Sequence, residues 1–421
     1  MAAPKPETRT NTPSAMPRGR HFFFGPGPTN IPDSVLSAMH HTTMDFMSDE
    51  FVAIQKRVHG GIMGLLRTRQ HLLMYAGNGH AAWEAALVNC FAPGEKLLIL
   101  DCGHFAANWA QMARDLGYQI ETIAADWRTG ASVSQLEARL KADSTGEIKG
   151  VLVVHNETAT GVVHPLAEIR RAVDAAGHKA LLLADAISSF GSIDICMDDW
   201  GLDVVVAGSQ KGLMMVTGMS LTGISEKAWA RSKSVASPRS YWNWQQMTGM
   251  APQRFPGTSP VHMILGLNES VRLIENEGFD AVLTRHKRFG AATRAAVAHW
   301  GGGAKTSVTI TPVGFSGKIN AIEVMCTDAK RVSDSVTTVL LPDGHDANAV
   351  RTIAHQRYNL ALGGGLGPLN ERALRIGHLG DLNEPMLLGA LATTEMALAE
   401  AAVPHKTGGV AAAIASLRES A

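Results

Sequence analysis

The chain has 421 residues, of which 45% are hydrophobic and 18% charged, as expected for a globular protein large enough for two domains. Its 38 Lys and Arg residues balance 38 Asp and Glu residues, so the formal net charge is zero. Because a neutral chain lacks the long-range attraction of a basic one, we predict no binding to nucleic acid or acidic membranes. No run approaches the roughly 20 apolar residues that a membrane span needs.

The four cysteines, Cys90, Cys102, Cys196 and Cys326, lie far apart in the sequence, and none forms a CxxC pair. We therefore predict neither a metal site nor a disulfide framework, and favour buried thiols in a reducing compartment. Residues 1–20 are polar, Pro-rich and basic, without the apolar core of a signal peptide. These features predict a cytoplasmic protein whose N-terminal arm is flexible or clasps a partner subunit.

Short apolar runs alternate with helical segments in the middle of the chain. The runs expected to form strands are Lys96–Leu100, Lys149–Val154, Lys179–Leu183 and Asp203–Val206. Because each run is largely apolar, we expect strands buried on both faces of a mostly parallel sheet. Leu166–Ala176, which is followed by Gly177, and Ser134–Lys141 are predicted helices between them.

Each predicted strand is followed by a polar or glycine-bearing loop. Three of these loops are His155–Gly161, Asp185–Ser189 and Ser209–Lys211. Ligands of open α/β sheets bind at the carboxyl ends of the strands, so we expect the three loops to surround one crevice.

The second half of the chain predicts a further α/β unit. A long helical pattern over residues 260–300 is followed by a strand candidate, VTTVLLP, and a helix candidate, ANAVRTIAHQRY. We predict an N-terminal arm over residues 1–20, a large domain over 21–288 and a small C-terminal domain over 289–421.

Lys211 and Asp185 are the strongest candidates for chemistry. Lys211 follows a predicted buried strand, where a desolvated amine has a lowered pKa and forms Schiff bases readily, although taken alone a surface lysine is more common. Asp185 ends the preceding strand, so we expect the two side chains on neighbouring strands. Pyridoxal 5'-phosphate (PLP) needs an acid beside its pyridine nitrogen, so the pair favours a PLP enzyme. An Asp that caps the next helix is the structural alternative for Asp185.

Three further features are weaker signals, and each has an ordinary structural alternative. The turn Gly77-Asn-Gly79 precedes a helix whose N-terminus suits a phosphate, although most such turns bind nothing. Phe105 follows a strand, where it could stack on a ring or pack in the core. Arg375 lies in the apolar stretch ALRIG, where its guanidinium would meet either a structural carboxylate or that of a substrate.

Five segments, GPGPTNIP, VVHNETATGV, LADAISSFGS, AGSQKGLM and LRIGHLGDLNE, together resemble the class V (fold type I) PLP-dependent aminotransferases. The likeness is strongest to the alanine–glyoxylate and serine–glyoxylate aminotransferase family, and it extends from about Phe24 to Val410. It implies a large domain with a mostly parallel seven-stranded sheet flanked by helices, and a smaller C-terminal α/β domain. It also implies a homodimer with shared active sites.

The resemblance gives each matching residue an expected role. Lys211 would form the Schiff base and shuttle the proton, and Asp185 would face the pyridine nitrogen. The other expected roles are Phe105 and Ile187 on the two ring faces, Thr158 near the ring oxygen, Gly79, His80 and Gln210 at the phosphate, and Gly27 and Arg375 at the substrate carboxylate.

Three segments need separate comment. The stretch that the family lends to the neighbouring subunit's phosphate site reads Phe255-Pro-Gly-Thr258, in which only Thr258 keeps the expected hydroxyl. Residues 39–46 depart from the DHRS-like segment of many serine–glyoxylate members, so the resemblance does not define the donor pocket there. Extra residues around 307–331 are expected to form a surface insertion.

The predicted reaction is a ping-pong transamination. A small L-amino acid, serine or alanine, would give its amino group to glyoxylate, yielding glycine and a 2-oxo acid. A second cation at Arg239, His40 or His41 would instead allow aspartate or another donor, with glyoxylate or pyruvate as acceptor.

Other functions need features that are weak or missing in the sequence. Desulfuration, another class V reaction, needs a mobile cysteine, for which Cys326 is a poor match. A nicotinamide-dependent oxidoreductase needs GxGxxG, and Gly77-Asn-Gly79 lacks the third glycine. A non-catalytic scaffold would leave Lys211 and Asp185 unexplained at strand ends.

Overall fold

The structure is a computed structural model that describes residues 19–250 and 252–419. The predicted N-terminal arm, residues 1–20, thus lies outside the described residues except for its last two positions. Within the described ranges, no helix combines the length and apolar character needed to cross a bilayer.

The chain alternates strands and helices along most of its length. The strands are β1 (Phe22–Phe24), β2 (His71–Ala76), β3 (Lys96–Leu100), β4 (Gln119–Ile123), β5 (Ile148–Val154), β6 (Asn156–Glu157), β7 (Val162–Val163), β8 (Leu181–Asp185), β9 (Val204–Gly208), β10 (Met219–Ile224), β11 (Thr309–Thr311), β12 (Gly314–Ser316), β13 (Glu323–Val324), β14 (Val336–Leu340), β15 (Leu360–Gly364) and β16 (Ala373–Gly377). The α-helices are α1 (Asp33–Met39), α2 (Asp49–Leu66), α3 (Gly79–Cys90), α4 (His104–Asp115), α5 (Val133–Ala142), α6 (Leu166–Ala175), α7 (Glu226–Ser232), α8 (Val261–Glu277), α9 (Phe279–Trp300), α10 (Ala347–Tyr358), α11 (Glu384–Glu400) and α12 (Gly409–Glu419).

A seven-stranded sheet, in the order β2-β10-β9-β8-β5-β3-β4, forms the centre of the larger part of the molecule. β10 runs antiparallel to both of its neighbours, and the remaining pairs are parallel. Every residue of β8 and β9 is buried, because apolar clusters cover both faces of the sheet. The predicted mostly parallel sheet flanked by helices is confirmed, although the run predicted at Lys179–Leu183 begins two residues later.

The carboxyl ends of β5, β8 and β9 lie side by side at one edge of this sheet. Val154 is opposite Asp185, and Asp185 is in turn opposite Val206. β2 ends at the same edge because it pairs antiparallel with β10. The loops after these strands therefore meet, as the sequence predicted.

A second, five-stranded sheet has the order β1-β15-β16-β14-β13. β1 pairs in parallel with β15, which brings Phe22–Phe24 into this sheet rather than the larger one. The boundary predicted at residue 288 falls inside α9, whose Phe289 and Trp300 belong to the apolar core under the second sheet. The division at residue 288 stays a prediction.

The helical pattern predicted over residues 260–300 is two helices, α8 and α9. Gly278 separates them with φ +87°, a left-handed conformation that favours glycine. It ends α8 and begins α9, so the chain changes direction where it passes toward the second sheet.

The segment around residues 307–331 is not a plain surface insertion, and that expectation is wrong. Ile310 and Met325 are fully buried in a cluster with Trp127, and the guanidinium of Arg128 lies 2.9 Å from the Glu323 carboxylate in a buried ion pair. The segment covers apolar and charged side chains of the loop before α5, which would otherwise face water. Its β11–β12 hairpin is exposed at the tip, where Val313 is 97% accessible.

Candidate active site

A cavity of about 250 Å³ opens at the sheet edge where β5, β8 and β9 end. All the residues predicted for the site line it, except Arg375 and Thr258. They are Gly27, Gly79, His80, Phe105, Thr158, Asp185, Ile187, Gln210 and Lys211. The structure therefore brings together residues that are up to 184 positions apart in the sequence.

Lys211 extends from the loop after β9 toward the GPGP segment. Its Nζ donates a hydrogen bond to the Pro26 carbonyl at 2.5 Å, and its own carbonyl accepts one from Thr29 Oγ1 at 3.0 Å. A Cβ on Gly27 would lie 2.1 Å from Nζ, so the close approach requires glycine. Burial lowers the pKa of Lys211 to about 8, and the Arg375 charge acts in the same direction. The amine therefore loses its proton more readily than a free lysine, which suits a nucleophile.

Asp185 is the last residue of β8 and is 5% exposed. Its Oδ1 accepts a hydrogen bond from the Ile187 backbone N–H at 2.7 Å. Burial raises the pKa of Asp185 to about 7, an effect that the Ile187 N–H, the Trp83 indole and the Lys211 charge only partly oppose. A cationic N–H group in the cavity would stabilise the ionised carboxylate, so the residue suits a protonated ring nitrogen.

Arg375 reaches the site from β16 of the second sheet. Its Nε donates to the Gly364 carbonyl at 2.7 Å, and its Nη1 donates to the carbonyl of the cavity residue Thr158 at 3.1 Å. Within the described residues, Nη2 has no hydrogen-bond partner. Burial lowers the pKa of Arg375 to about 10, so the guanidinium stays charged at neutral pH and can bind a carboxylate.

The N-terminus of α3 forms another wall of the cavity. Helix α3 begins at Gly79, and the Asn78 side chain accepts a hydrogen bond from the His80 N–H at 3.1 Å. A Cβ on Gly79 would lie 2.3 Å from Ile187 Cδ1, so the turn approaches the loop after β8 closely. The positive end of the helix dipole at the cavity suits a phosphate group.

The cavity also contains polar atoms whose partners are missing from the described part of the chain. Gln210 Oε1 and Asn156 Oδ1 are buried and make no hydrogen bond there, whereas the Trp83 indole interacts with the Asp185 carboxyl. Since buried polar groups are normally paired, these two acceptor oxygens indicate a ligand that carries hydrogen-bond donors. Together with Lys211 and Asp185, they fit PLP, whose polar groups are distributed around one ring.

Sequence reasoning did not assign Asn156 or Trp83 to the site. Asn156 belongs to the HNETATG motif after β5, so its position at a strand end could have identified it. Trp83 lies on the apolar helix α3, where its indole is indistinguishable from core packing. Only the fold shows that the two side chains line the same cavity.

Thr258 lies apart from the cavity. It lines a separate cleft together with residues 43–46 and 259–263. Its expected role in a partner's cofactor site therefore stays a prediction.

The side chains on which the alternative functions depend do not line the cavity. Arg239 donates hydrogen bonds to the carbonyls of Ser232 and Val235, and Cys326 is buried with its thiol pKa raised to about 11 by burial. His40 and His41 are exposed. None of these groups places a second cation or a thiolate in the cavity of its own chain.

The two-sheet fold and the Lys211–Asp185 pair define a type I PLP-dependent transferase fold. A structural relative, pyridoxamine–pyruvate aminotransferase from Mesorhizobium loti, matches with a TM-score of 0.84 and 26% identity, over 95% of this chain and 97% of that one. The family described as Aminotransferase class-V matches residues 21–304. The chain belongs to the class V aminotransferase family.

Two curated relatives match nearly their whole length. The serine–glyoxylate aminotransferase of Methylorubrum extorquens is 39% identical over 410 residues, covering 96% of this chain and 97% of the relative. The L-aspartate–glyoxylate aminotransferase of Paracoccus denitrificans is 37% identical, covering 94% and 96%. These matches place the chain among aminotransferases, and the nicotinamide alternative is set aside.

Proposed function

We propose that the chain is a homodimeric glyoxylate aminotransferase that holds PLP covalently at Lys211 and takes amino groups from serine or alanine. The observation that carries the proposal is the meeting of the Lys211 amine, with its lowered pKa, and the buried Asp185 carboxyl in one cavity. The buried guanidinium of Arg375 lies next to this cavity, where it donates a hydrogen bond to the carbonyl of the lining residue Thr158. When bound, PLP supplies an aldehyde carbon that captures amino groups and a ring that withdraws electrons.

The chain's own residues would then bind, orient and transfer protons. Lys211, with a pKa of about 8, can both accept and release a proton near neutral pH. Asp185 would hold the proton on the ring nitrogen. Arg375 would orient the substrate carboxylate through Nη2, because its other nitrogens are engaged by backbone carbonyls.

The phosphate would bind at the start of α3, beside Gly79, His80 and Gln210. A partner subunit would complete this site with Thr258. In support of a dimer, the cleft that contains Thr258 adjoins the exposed apolar side chains of Phe46 and Met47, which are 40% and 55% accessible.

The charge around Arg375 favours a donor with a neutral side chain. His104 interacts electrostatically with Arg375, and burial and that charge lower the pKa of His104 below the ordinary value of 6.5. Arg351 also interacts electrostatically with Arg375, but its guanidinium donates to the Leu362 carbonyl and the Asn348 side chain and does not line the cavity. A neutral imidazole offers no second cation for a side-chain carboxylate at pH 7. Serine and alanine are thus favoured, and aspartate is the second candidate because one relative is named for it.

A donor panel tests the proposal directly. Purified enzyme loaded with PLP is given glyoxylate together with serine, alanine or aspartate, and glycine is quantified. We expect glycine from serine or alanine, and none from the Lys211→Met variant. If aspartate is turned over faster than serine and alanine, aspartate becomes the assigned donor. If none of the three yields glycine, the proposed function is contradicted.

A further inference from the structure

Glu157 is a buried carboxyl group for which the mechanism above has no use. It lies in β6, directly after the strand end that borders the cavity, and its side chain is inaccessible to solvent. Burial raises the pKa of Glu157 to about 7. Because burying a carboxyl group is costly unless it is hydrogen-bonded, its partners indicate what it does.

The carboxylate joins two segments of the cavity wall. Oε2 accepts hydrogen bonds from the N–H groups of Phe105 at 3.0 Å and Ala106 at 3.1 Å, and Oε1 accepts one from Ala159 at 3.0 Å. Phe105 and Ala106 lie in the first turn of α4, whose N-cap residue, Gly103, has no side chain to cap it. Glu157 therefore supplies the missing cap from another element.

Gly103 makes this arrangement possible. A Cβ at that position would lie 2.4 Å from Glu157 Cγ and 2.6 Å from Cδ, inside the space that the carboxyl group occupies. The glycine of DCGH thus admits a side chain from the loop after β5.

Both tethered segments carry residues of the proposed site. Phe105 lines the cavity, and Ala159 follows Thr158, whose carbonyl accepts the hydrogen bond from Arg375. We infer that Glu157 is a positioning residue that fixes Phe105 against the cofactor ring and fixes the Thr158 carbonyl that orients Arg375. This inference rests on the proposed function, since it assigns the ring and the substrate to that cavity.

The substitution Glu157→Gln tests the inference with little change in volume. Glutamine keeps one acceptor oxygen, so its NH₂ group faces an N–H donor whichever way the amide turns. PLP-free protein is titrated with PLP, and the visible circular dichroism of the bound cofactor reports how the ring is held. We expect about tenfold weaker PLP binding, equivalent to losing about 1.4 kcal/mol of capping, and a smaller dichroic signal. We also expect a higher KM for the amino donor.

Asp143→Asn is the matched control. Asp143 is a buried carboxylate that accepts hydrogen bonds from the backbone N–H groups of Glu147 and Ile148 at 3.1 and 2.8 Å and lies 3.0 Å from His178 Nε2, at the opposite end of β5. We expect this variant to lower the unfolding temperature without changing PLP affinity or the dichroic signal. If Glu157→Gln behaves like Asp143→Asn, the inference is overturned.

A double variant shows whether Glu157 acts through Phe105. Added to Phe105→Leu, Glu157→Gln should weaken PLP binding by no more than about twofold further, because the residue it positions is gone. A full tenfold additional loss would overturn the inference.

If Glu157→Gln does not fold, Gly103→Ala displaces the same carboxyl group and should weaken PLP binding in the same way. Unchanged PLP binding in Gly103→Ala would count against the inference. Wild-type protein that binds no PLP would instead refute the proposed function.

Discussion

Replacing Gly27 by Ala should misplace the amine of Lys211. The added Cβ would lie 2.1 Å from Nζ, 2.5 Å from Cε and 2.6 Å from Cδ of Lys211. The lysine side chain therefore has to move away from the Pro26 carbonyl, to which it is hydrogen-bonded. The backbone adds to the cost, because Gly27 has φ +126°, which L-residues rarely adopt. Strain of about 1–3 kcal/mol and a lost hydrogen bond of about 1 kcal/mol together lower the free energy of unfolding by about 2–4 kcal/mol.

The assay compares urea unfolding of the PLP-free protein with visible absorbance after PLP is added. We expect lower stability and loss of the absorbance of covalently attached cofactor. Gly64→Ala is the control, since its Cβ would meet no atom within 4 Å on the exposed side of α2. It should raise stability by about 0.5–1 kcal/mol and leave attachment unchanged. Normal attachment in Gly27→Ala would refute the claim that this glycine sets the position of the lysine.

Three further substitutions test the charges of the site. Below pH 8, burial of the charged Lys211 amine costs the PLP-free protein up to about 3 kcal/mol, because its pKa falls from 10.5 to about 8. Lys211→Met should thus be more stable than wild type at pH 7 in urea unfolding. Wild-type stability rises with pH between 8 and 10.5, so this advantage should shrink there, and a constant difference would contradict the burial argument. Asp185 has its pKa raised from 3.8 to about 7, so it makes wild-type stability fall as pH rises through that window. Asp185→Asn should make this fall smaller in unfolding measured at pH 4 to 8, because only the contribution of Glu157, whose pKa is also raised to about 7, then remains, and an unchanged slope would count against it. Arg375→Lys loses the backbone hydrogen bonds of Nε and Nη1 that hold the charge in place, so the KM for the amino donor should rise at least about tenfold while PLP attachment persists, and an unchanged KM in steady-state kinetics would exclude Arg375 as the carboxylate ligand.

The sequence was sufficient to predict the central part of the large sheet and the edge at which the site lies. Apolar runs of four to six residues are identifiable without tertiary information, and in a parallel sheet their carboxyl ends must share one edge. This is why Asp185 and Lys211 could be predicted to lie on neighbouring strands, as they do in β8 and β9.

Pairings between distant segments could not be predicted in this way. Phe22–Phe24 pairs with Leu360–Leu362, and nothing local in either segment specifies the other. β10 alternates apolar Met219 and Leu221 with polar Ser220 and Thr222, a pattern that indicates a strand with one face in water, yet every residue of the strand is buried. Long-range contacts of this kind depend on the whole fold rather than on a local period.

The sequence also could not predict that the Glu157 carboxyl group points into the protein interior. In sequence, a glutamate after a strand indicates a solvated loop, because charged residues are seldom buried without a partner. Its partners are backbone N–H groups of α4, some 50 positions earlier, and Gly103 provides the space for it.

The most direct measurement is to locate the covalent bond to the cofactor. Protein incubated with PLP is reduced with borohydride, digested and mapped by mass spectrometry. We predict one phosphopyridoxyl group, attached to Lys211, and none there when reduction follows reaction with an effective amino donor. A modification on another lysine, or none at all, would contradict the assignment of Lys211 as the residue that carries the cofactor.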